Sequence, residues 1–558
     1  MHFNGTINKF KQGGNIMKNG VFKMDTFHNE RVLNYLPGND ERINLKNELE
    51  IMKNSEIEIP VIVGGKGYRT GKLKKCIIPH DKNHILGYYH EATEELIELA
   101  IKTALEAKER WENVHSEHRI AIFKRASYLA GTTWKARLNA ATMLCQSKTF
   151  FQAEIDASVE LSDFFNINAY CLSQIYQKIP LQTIDSMNRI DYRPLEGFVY
   201  AVSPFNFTSI GGNLTGAPAI AGNTVVWKPA STSVYSSYVI YQLLEEAGMP
   251  PGIINFIPGN AGMISDIVLN HSELNAVNFT GSTKVFNNIW KTVGINVDKY
   301  RNYPRLVGET GGKNFVLAHN TAEIKHLSAN LIRGAFEYQG QKCSATSRAY
   351  IPSSIWPKVK ELLVSETKSI KIGDVEDFNT FMGAVIDKNA FDKIKSYIDY
   401  ARASEDAEII CGGGCDDSIG YFIEPTIIET KNIRFKTMTE EIFGPVLSIY
   451  VYEDEDYNNI LETVANISEY GLTGSIFAQD RYIIKQAEQK LVYAAGNFYI
   501  NDKTTGAVVG QSPFGGSRAS GTNDKVGTMG NMLRWLNPRS IKENYDRISS
   551  YDYNFEED

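Results

Sequence analysis

No run of apolar residues in this chain reaches the roughly eighteen needed for a membrane-spanning helix, so the sequence predicts no membrane span. No basic stripe dominates either. The formal net charge is −7 and the pI is near 5.9, and the lysines are interleaved with Asp and Glu, which argues against a nucleic-acid partner and for a small-molecule substrate. Cysteine is scarce: Cys76, Cys145, Cys171, Cys343, Cys411 and Cys415 are all there is in 558 residues. They are too few and too scattered for a disulfide framework, fit a reducing compartment and leave thiols free to react. Internal repeats and low-complexity linkers are missing as well. With 43% hydrophobic and 22% charged residues, the chain is globular, able to bury large cores, and long enough for roughly two to four domains.

Several catalytic signatures are absent, and each absence removes a reaction class. The run Gly308 to Asn314 is no phosphate-binding Walker loop, because Val307 stands at the first glycine position and Asn314 replaces the hydroxyl that would hold magnesium. His90-Glu91-Ala92-Thr93-Glu94 lacks the second histidine of a zinc protease. Cys411-Gly412-Gly413-Gly414-Cys415 has no further ligand nearby in sequence and reads as a glycine turn, and His115 and His118 read as solvated helix residues. No Gly-x-Ser-x-Gly elbow occurs. The expectation is therefore no metal and no serine or phosphoryl chemistry. The first 24 residues contain Lys9, Lys11, Lys18 and Lys23 and no acid. That fits an organelle-targeting segment in being acid-poor but not in lacking Arg and Ser, and leaves a disordered tail as the alternative.

What is present is an α/β rhythm. Residues 91–175 carry apolar positions at three-to-four spacing and predict several amphipathic helices, and the polar, β-prone stretch 182–192 predicts a hairpin or flap. Short apolar strands at 198–202, 224–227, 253–257 and 276–279 then alternate with helices at 211–221, 233–247 and 261–269, as in βαβ units with a parallel sheet. A second α/β segment begins at Phe315, with a helix over 324–338, a strand at 348–351, a helix over 357–369 and a strand at 495–500. A glycine-rich stretch, 506–521, and an acidic, tyrosine-rich tail close the chain.

Between the helix and strand of that second segment lies Gly340-Gln341-Lys342-Cys343-Ser344, downstream of Gly308-Glu309-Thr310-Gly311-Gly312. A thiol and a carboxylate on separate turns suggest covalent catalysis, with Lys342 and the amide-rich turn expected to lower the thiol pKa. The run Ser203-Pro204-Phe205-Asn206-Phe207 ends a strand with an uncharged amide, Asn206, suited to an oxyanion. The Gly-x-Gly-x-x-Gly dinucleotide fingerprint is missing at the strand ends. Instead Phe279-Thr280-Gly281-Ser282-Thr283 leads into a helix whose free N–H groups can hold a pyrophosphate, and Lys228 ends a strand where a cation can meet a ribose hydroxyl.

Together with Glu440-Glu441-Ile442-Phe443-Gly444-Pro445, these segments resemble the aldehyde dehydrogenase superfamily in residue type and chain order. Residues 336–345, 497–503 and 511–516 look like the eukaryotic-type delta-1-pyrroline-5-carboxylate dehydrogenases, with similarity from about Val32 to Lys542. The resemblance implies a Rossmann-like NAD-binding domain, an α/β catalytic domain and a small β oligomerisation flap. It divides the chain into a targeting segment or tail (1–24), the helical part of the NAD-binding domain (25–178), the first part of the flap (179–196), the Rossmann-like core (197–312), the catalytic domain (313–505) and a substrate-anchor and C-terminal oligomerisation segment (506–558).

The implied reaction is NAD-dependent oxidation of L-glutamate γ-semialdehyde to L-glutamate in proline degradation. Cys343 would be the nucleophile, Asn206 the oxyanion donor, and Glu309 the base for hydrolysis. Cofactor contacts carried over are Ser203, Lys228, Gly281, Ser282, Thr283, Lys284, Val285, Glu441 and Phe443. Substrate contacts are Phe207, Ser344, Gly506, Ala507 and Phe514. Ala507 departs from a serine common in the family, and Ser231 from a carboxylate that favours NAD over NADP. Glu160 aligns with a family glutamate, although the sequence alone reads it as an exposed helix residue. The resemblance also implies a homo-oligomer, at least a dimer, and the mitochondrial matrix, the cytoplasm being the other compartment. Another ω-semialdehyde dehydrogenase, or a catalytically silent binding or structural member of the fold, stays open at this point.

Overall fold

The computed structural model describes residues 22–546, 550 and 551. Most of the segment expected to be a leader or tail, residues 1–21, therefore lies outside the described residues. Two seven-stranded sheets organise the rest. In the first, the strands lie in the order Arg305–Glu309, Leu274–Thr280, Phe198–Val202, Val225–Lys228, Ile254–Phe256, Val61–Val63, Lys66–Tyr68. The first five are parallel and the last two run antiparallel at one edge. The chain moves outward from 198–202 through 225–228 to 254–256, then returns to build 274–280 and 305–309 on the other side. The direction of winding thus reverses beside Phe198–Val202, and in such sheets ligands sit at the C-terminal strand ends of that crevice.

Alternation along the strands explains the two helical layers. Phe198 and Tyr200 face one side, packing with Ile97, Ala100 and Ala104 of the helix Glu94–Trp111. Val199 and Ala201 face the other, with Leu214, Ile240 and Leu244. Each fully buried large side chain of this kind contributes about 1.5–3 kcal/mol. The helix Glu94–Trp111 starts where it does because the Thr93 side chain accepts from the Leu96 N–H, with Glu94 and Glu95 in its first turn and Lys108 and Arg110 in its last.

The second sheet runs Ala407–Cys411, Thr426–Thr430, Val446–Tyr452, Thr346–Pro352, Asn314–Ala318, Thr473–Phe477, Asn497–Ile500, parallel except for its first pair. Phe315 and Leu317 face one layer, and Val316 and Ala318 the other. The expected helix over 324–338 stops at Phe336, where Glu337–Gly340 kinks with Tyr338 and Gln339 at positive φ. Four strands of this sheet, at 407–411, 426–430, 446–452 and 473–477, had no counterpart among the expected elements.

Of the two readings of 182–192, hairpin or flap, the hairpin does not hold, because its strand pairs with a distant segment and not with itself. Ser186–Pro194 pairs antiparallel with Leu536–Asn544, from Leu536 against Pro194 to Asn544 against Ser186. The result is a two-stranded ribbon, and Leu181 and Ile184 beside it are 91% and 106% exposed.

Candidate active site

Four strand ends of the first sheet deliver the predicted residues to one edge: Ser203 after 198–202, Lys228 on 225–228, Gly281 after 274–280 and Glu309 on 305–309. The second sheet brings Cys343 to the same place through the loop that precedes Thr346–Pro352. Gly312 permits that approach, because a Cβ there would lie 2.4 Å from the Cys343 carbonyl oxygen. Asn314 Nδ2 donates to the Cys343 and Ala345 carbonyls at 2.7 and 2.8 Å, and its Oδ1 accepts from Thr473 N at 3.1 Å. Asn314 thus pins the thiol-bearing turn to the sheet, a role that its sequence position does not disclose.

Cys343 is half-buried. Burial first, then the nearby charges of Glu309 and Glu441, push its thiol up to about 12. The expectation that Lys342 lowers this pKa is corrected: Lys342 Nζ lies 3.0 Å from Asp156 Oδ2 and 5.4 Å from the centre of the Phe207 ring. What does face the turn is Asn206, whose Nδ2 donates to the Gln341 carbonyl at 3.0 Å. Glu309 has one carboxylate oxygen buried without a hydrogen-bond partner among the described residues. Burial pushes its pKa well above the usual carboxylate range; Lys525 acts in the opposite direction. The carboxylate is thus held beside the thiol in a protonatable state.

The residues expected to contact a dinucleotide line the same crevice. Ser203 Oγ accepts from Trp227 Nε1 at 2.9 Å. Lys228 is buried with no ion pair among the described residues, and burial alone pulls its pKa down to about 8. Ser282 caps the helix Thr283–Ile295 by accepting from Val285 N, Lys284 and Val285 are exposed on its first turn, and Thr283 Oγ1 donates to the Ala519 carbonyl at 3.2 Å. Glu441 Oε1 accepts from Gly312 N at 2.7 Å, and burial raises its pKa. Phe443 sits at φ 63° and makes an edge contact with Phe205, with ring centres 5.9 Å apart. A bulky residue in that backbone region is strained and is held there by its surroundings. A buried cation with no ion-pair partner among the described residues, a capped helix N-terminus and a crevice at the winding reversal fit a dinucleotide.

On the substrate side, the Lys148 and Lys342 ammonium groups lie 4.2 and 5.4 Å from the Phe207 ring centre. The Ser344 carbonyl is held by Thr504 Oγ1 at 2.6 Å. Gly506 N donates to the Lys503 carbonyl at 3.2 Å, and Ala507 and Phe514 are half-buried.

Sequence reasoning missed the buried charges next to these residues. Asp156 is held by Lys148 at 2.5 Å as well as by Lys342. It lies in a π-helical turn, Glu154–Val159, which interrupts an otherwise α-helical run; such bulges frequently accompany functional sites. Glu160 is not on an exposed face. Its carboxylate accepts from Ser209 Oγ at 2.6 Å, and burial, then Asp156, push it up to about 7. No local signal marked them, because Gln152, Glu154 and Ser158 stand in the same segment and Lys148 and Asp156 read there as ordinary helix-surface residues.

The aldehyde dehydrogenase family model matches residues 68–541. The chain is 51% identical over 528 residues to a Dictyostelium discoideum protein named mitochondrial delta-1-pyrroline-5-carboxylate dehydrogenase, covering 94% of this chain and 95% of that one. It is 45% identical to the human mitochondrial protein of the same name, covering 94% and 93%. Its fold is similar to a crystal structure of the Mycobacterium tuberculosis delta-pyrroline-5-carboxylate dehydrogenase bound with NAD, with a TM-score of 0.93, 44% identity and coverage of 96% and 99%.

Proposed function

Because the chain belongs to the aldehyde dehydrogenase family, we propose that it is an NAD-dependent dehydrogenase that oxidises L-glutamate γ-semialdehyde, formed by hydrolysis of delta-1-pyrroline-5-carboxylate, to L-glutamate in proline degradation. The observation that carries the reading is the meeting of Cys343, Asn206 and Glu309 at the winding reversal of the first sheet, in a chain whose relatives bear that activity in their names.

In this reading the Cys343 thiol gives up its proton to solvent as the sulfur forms a bond to the aldehyde carbon, and the carbonyl oxygen takes up negative charge beside the Asn206 side-chain amide, which is buried and already donating at the turn. The Cys343 backbone N–H is the second donor. NAD, when bound, supplies the two-electron acceptor that turns the thiohemiacetal into a thioester. Ser203, Lys228, the turn Gly281 to Val285, Glu441 and Phe443 hold the dinucleotide. Glu309 then takes a proton from water, which attacks the thioester and returns the thiol to Cys343 as glutamate leaves. The raised pKa of Glu309 suits a group that must accept that proton near neutral pH. Phe207 and Phe514 flank the aliphatic chain, and Ser344, Gly506 and Ala507 meet its α-carboxylate.

Residues 25–178 and 197–312 form the NAD-binding unit and 313–505 the catalytic unit; residues 179–196 and 506–558 contribute the flap and anchor segments. An isolated two-stranded ribbon is marginal on its own, and exposed Leu181 and Ile184 support a homo-oligomer, at least a dimer, that covers it. Relatives named as mitochondrial and the acid-poor N-terminus support a location in the mitochondrial matrix. The test of the activity is NADH formation by the purified protein with pyrroline-5-carboxylate, run beside succinic semialdehyde and with NADP in place of NAD. Faster turnover of succinic semialdehyde would overturn the substrate assignment.

A further inference from the structure

Away from this crevice, three side chains from two distant segments of the chain converge on one point. His80 lies in the turn between the strands Leu73–Ile78 and Asp81–His90, while Asp374 and Glu376 lie in a loop of the second α/β unit. One ligand atom from each lies within 4.8 Å of the other two. His80 is 4% exposed, and its Nε2 has no hydrogen-bond partner among the described residues, although Asp374 Oδ1 is 3.4 Å away. A buried imidazole nitrogen without a partner costs free energy that a bound cation recovers.

The other ring nitrogen is already engaged. His80 Nδ1 lies 3.0 Å from Ser147 Oγ, which also accepts from Ala384 N at 3.0 Å. With the proton on Nδ1, the Nε2 lone pair points at the two carboxylates, the arrangement that orients histidine ligands of metals. The turn itself is clamped: Tyr421 N donates to the Pro79 carbonyl at 3.1 Å and Lys82 N to the Ile419 carbonyl at 3.0 Å. On the carboxylate side, Glu376 N donates to Asp374 Oδ1 at 2.8 Å, and buried Val375 anchors the loop between them. The Lys53 ammonium contacts Glu376 Oε1 and so already places one positive charge at this point.

We infer that His80 Nε2, Asp374 and Glu376 form a binding site for a divalent first-row transition metal, zinc being the best match to one imidazole and two carboxylates. Three protein ligands leave at least one position for water. The metal would displace Lys53 from Glu376 and would strap the N-terminal β-turn to the second α/β unit. The site is separate from the proposed catalytic residues, and its occupancy does not depend on the reaction assigned above.

The test is zinc titration by calorimetry of the full chain carrying Cys343→Ala, which removes the reactive thiol as a competing ligand, with and without Asp374→Asn plus Glu376→Gln. Both carboxylates are at least partly exposed, so these changes should leave the fold intact. The expected result is one zinc per chain, an absorption-edge spectrum with only N and O neighbours at about 2.0–2.2 Å, and binding weakened roughly tenfold or more in the carboxylate variants. Lys53→Gln should tighten it. Equal zinc affinity in the carboxylate variants, sulfur neighbours in the spectrum, or no uptake at millimolar zinc would overturn the assignment.

Discussion

Lys342 adjoins Cys343 in sequence, yet its Nζ sits 3.0 Å from Asp156 Oδ2, on a carboxylate that it shares with Lys148. The cation nearest Cys343 along the chain is spent on a buried charge cluster. Burial pushes the Asp156 carboxyl up, but Lys148 and Lys342 outweigh it and hold the pKa below the ordinary value. A depressed folded pKa contributes stability that is present above the unfolded value near 3.9 and lost as pH falls through the folded one. Asp156→Asn strips the partner from two buried lysines, so it should cost about 3–5 kcal/mol at neutral pH. The deficit, read by denaturant unfolding, should shrink below about pH 4. An unchanged midpoint at pH 7 would mean that the lysines find other partners.

Since Lys342 does not face the thiol, Cys343 in the cofactor-free protein should behave as a poorly ionised cysteine. Its alkylation by iodoacetamide should rise about tenfold per unit between pH 7 and 9, tracking the thiolate fraction. Cys343→Ala should abolish this labelling and the dehydrogenase activity while leaving NAD affinity nearly unchanged. A plateau in alkylation below pH 8 would reveal an activating cation that the resting geometry lacks.

Glu309 offers a test of opposite sign. Its folded pKa is raised by burial, so its stabilising contribution is full below the unfolded value near 4.3 and is lost as pH rises through the folded one. Glu309→Gln keeps the shape and has no proton to lose. Its melting temperature relative to the parent should therefore be higher at pH 8 than at pH 5. The same difference at both pH values would show that the carboxylate is solvated.

The regular parts of the α/β fold were legible because short apolar runs and helical spacing report local burial. The strand Phe198–Val202 and the helices Ala261–Leu269 and Trp356–Lys368 fall within a residue or so of expectation. What pairs with what was not legible: Ser186–Pro194 finds its partner more than 300 residues away, and no local pattern encodes that distance. Cys343, Asn206 and Glu309 could be proposed from sequence because each stands in a glycine-bounded or strand-ending motif. Asn314 and the Lys148, Asp156 and Lys342 cluster could not, because their meaning lies in contacts across the two units. Glu160 was misread for a related reason, since a polar residue on a helix reads as solvated until its neighbour Ser209 is placed.

Ala507 tests the substrate anchor. Where Ala507 meets the α-carboxylate, Ala507→Ser adds one charge-assisted hydrogen bond, worth about 1.5–3 kcal/mol at most. KM for pyrroline-5-carboxylate should fall by up to roughly tenfold or somewhat more, with propanal unaffected. Gly506 N–H is engaged with Lys503, so the hydroxyl would add a donor beside an N–H already in use. An equal change for both aldehydes would assign the loop to general packing.

In the proposed mechanism Cys343 carries the acyl group and Glu309 releases it. The most direct measurement is rapid mixing of Glu309→Gln with NAD and pyrroline-5-carboxylate, followed by acid quench and mass analysis of the peptide that contains Cys343. A burst of NADH equal to the enzyme concentration, slow steady turnover, and a glutamyl thioester on Cys343 are expected. Steady rates equal to those of the parent, or an acyl group on any other residue, would contradict that mechanism.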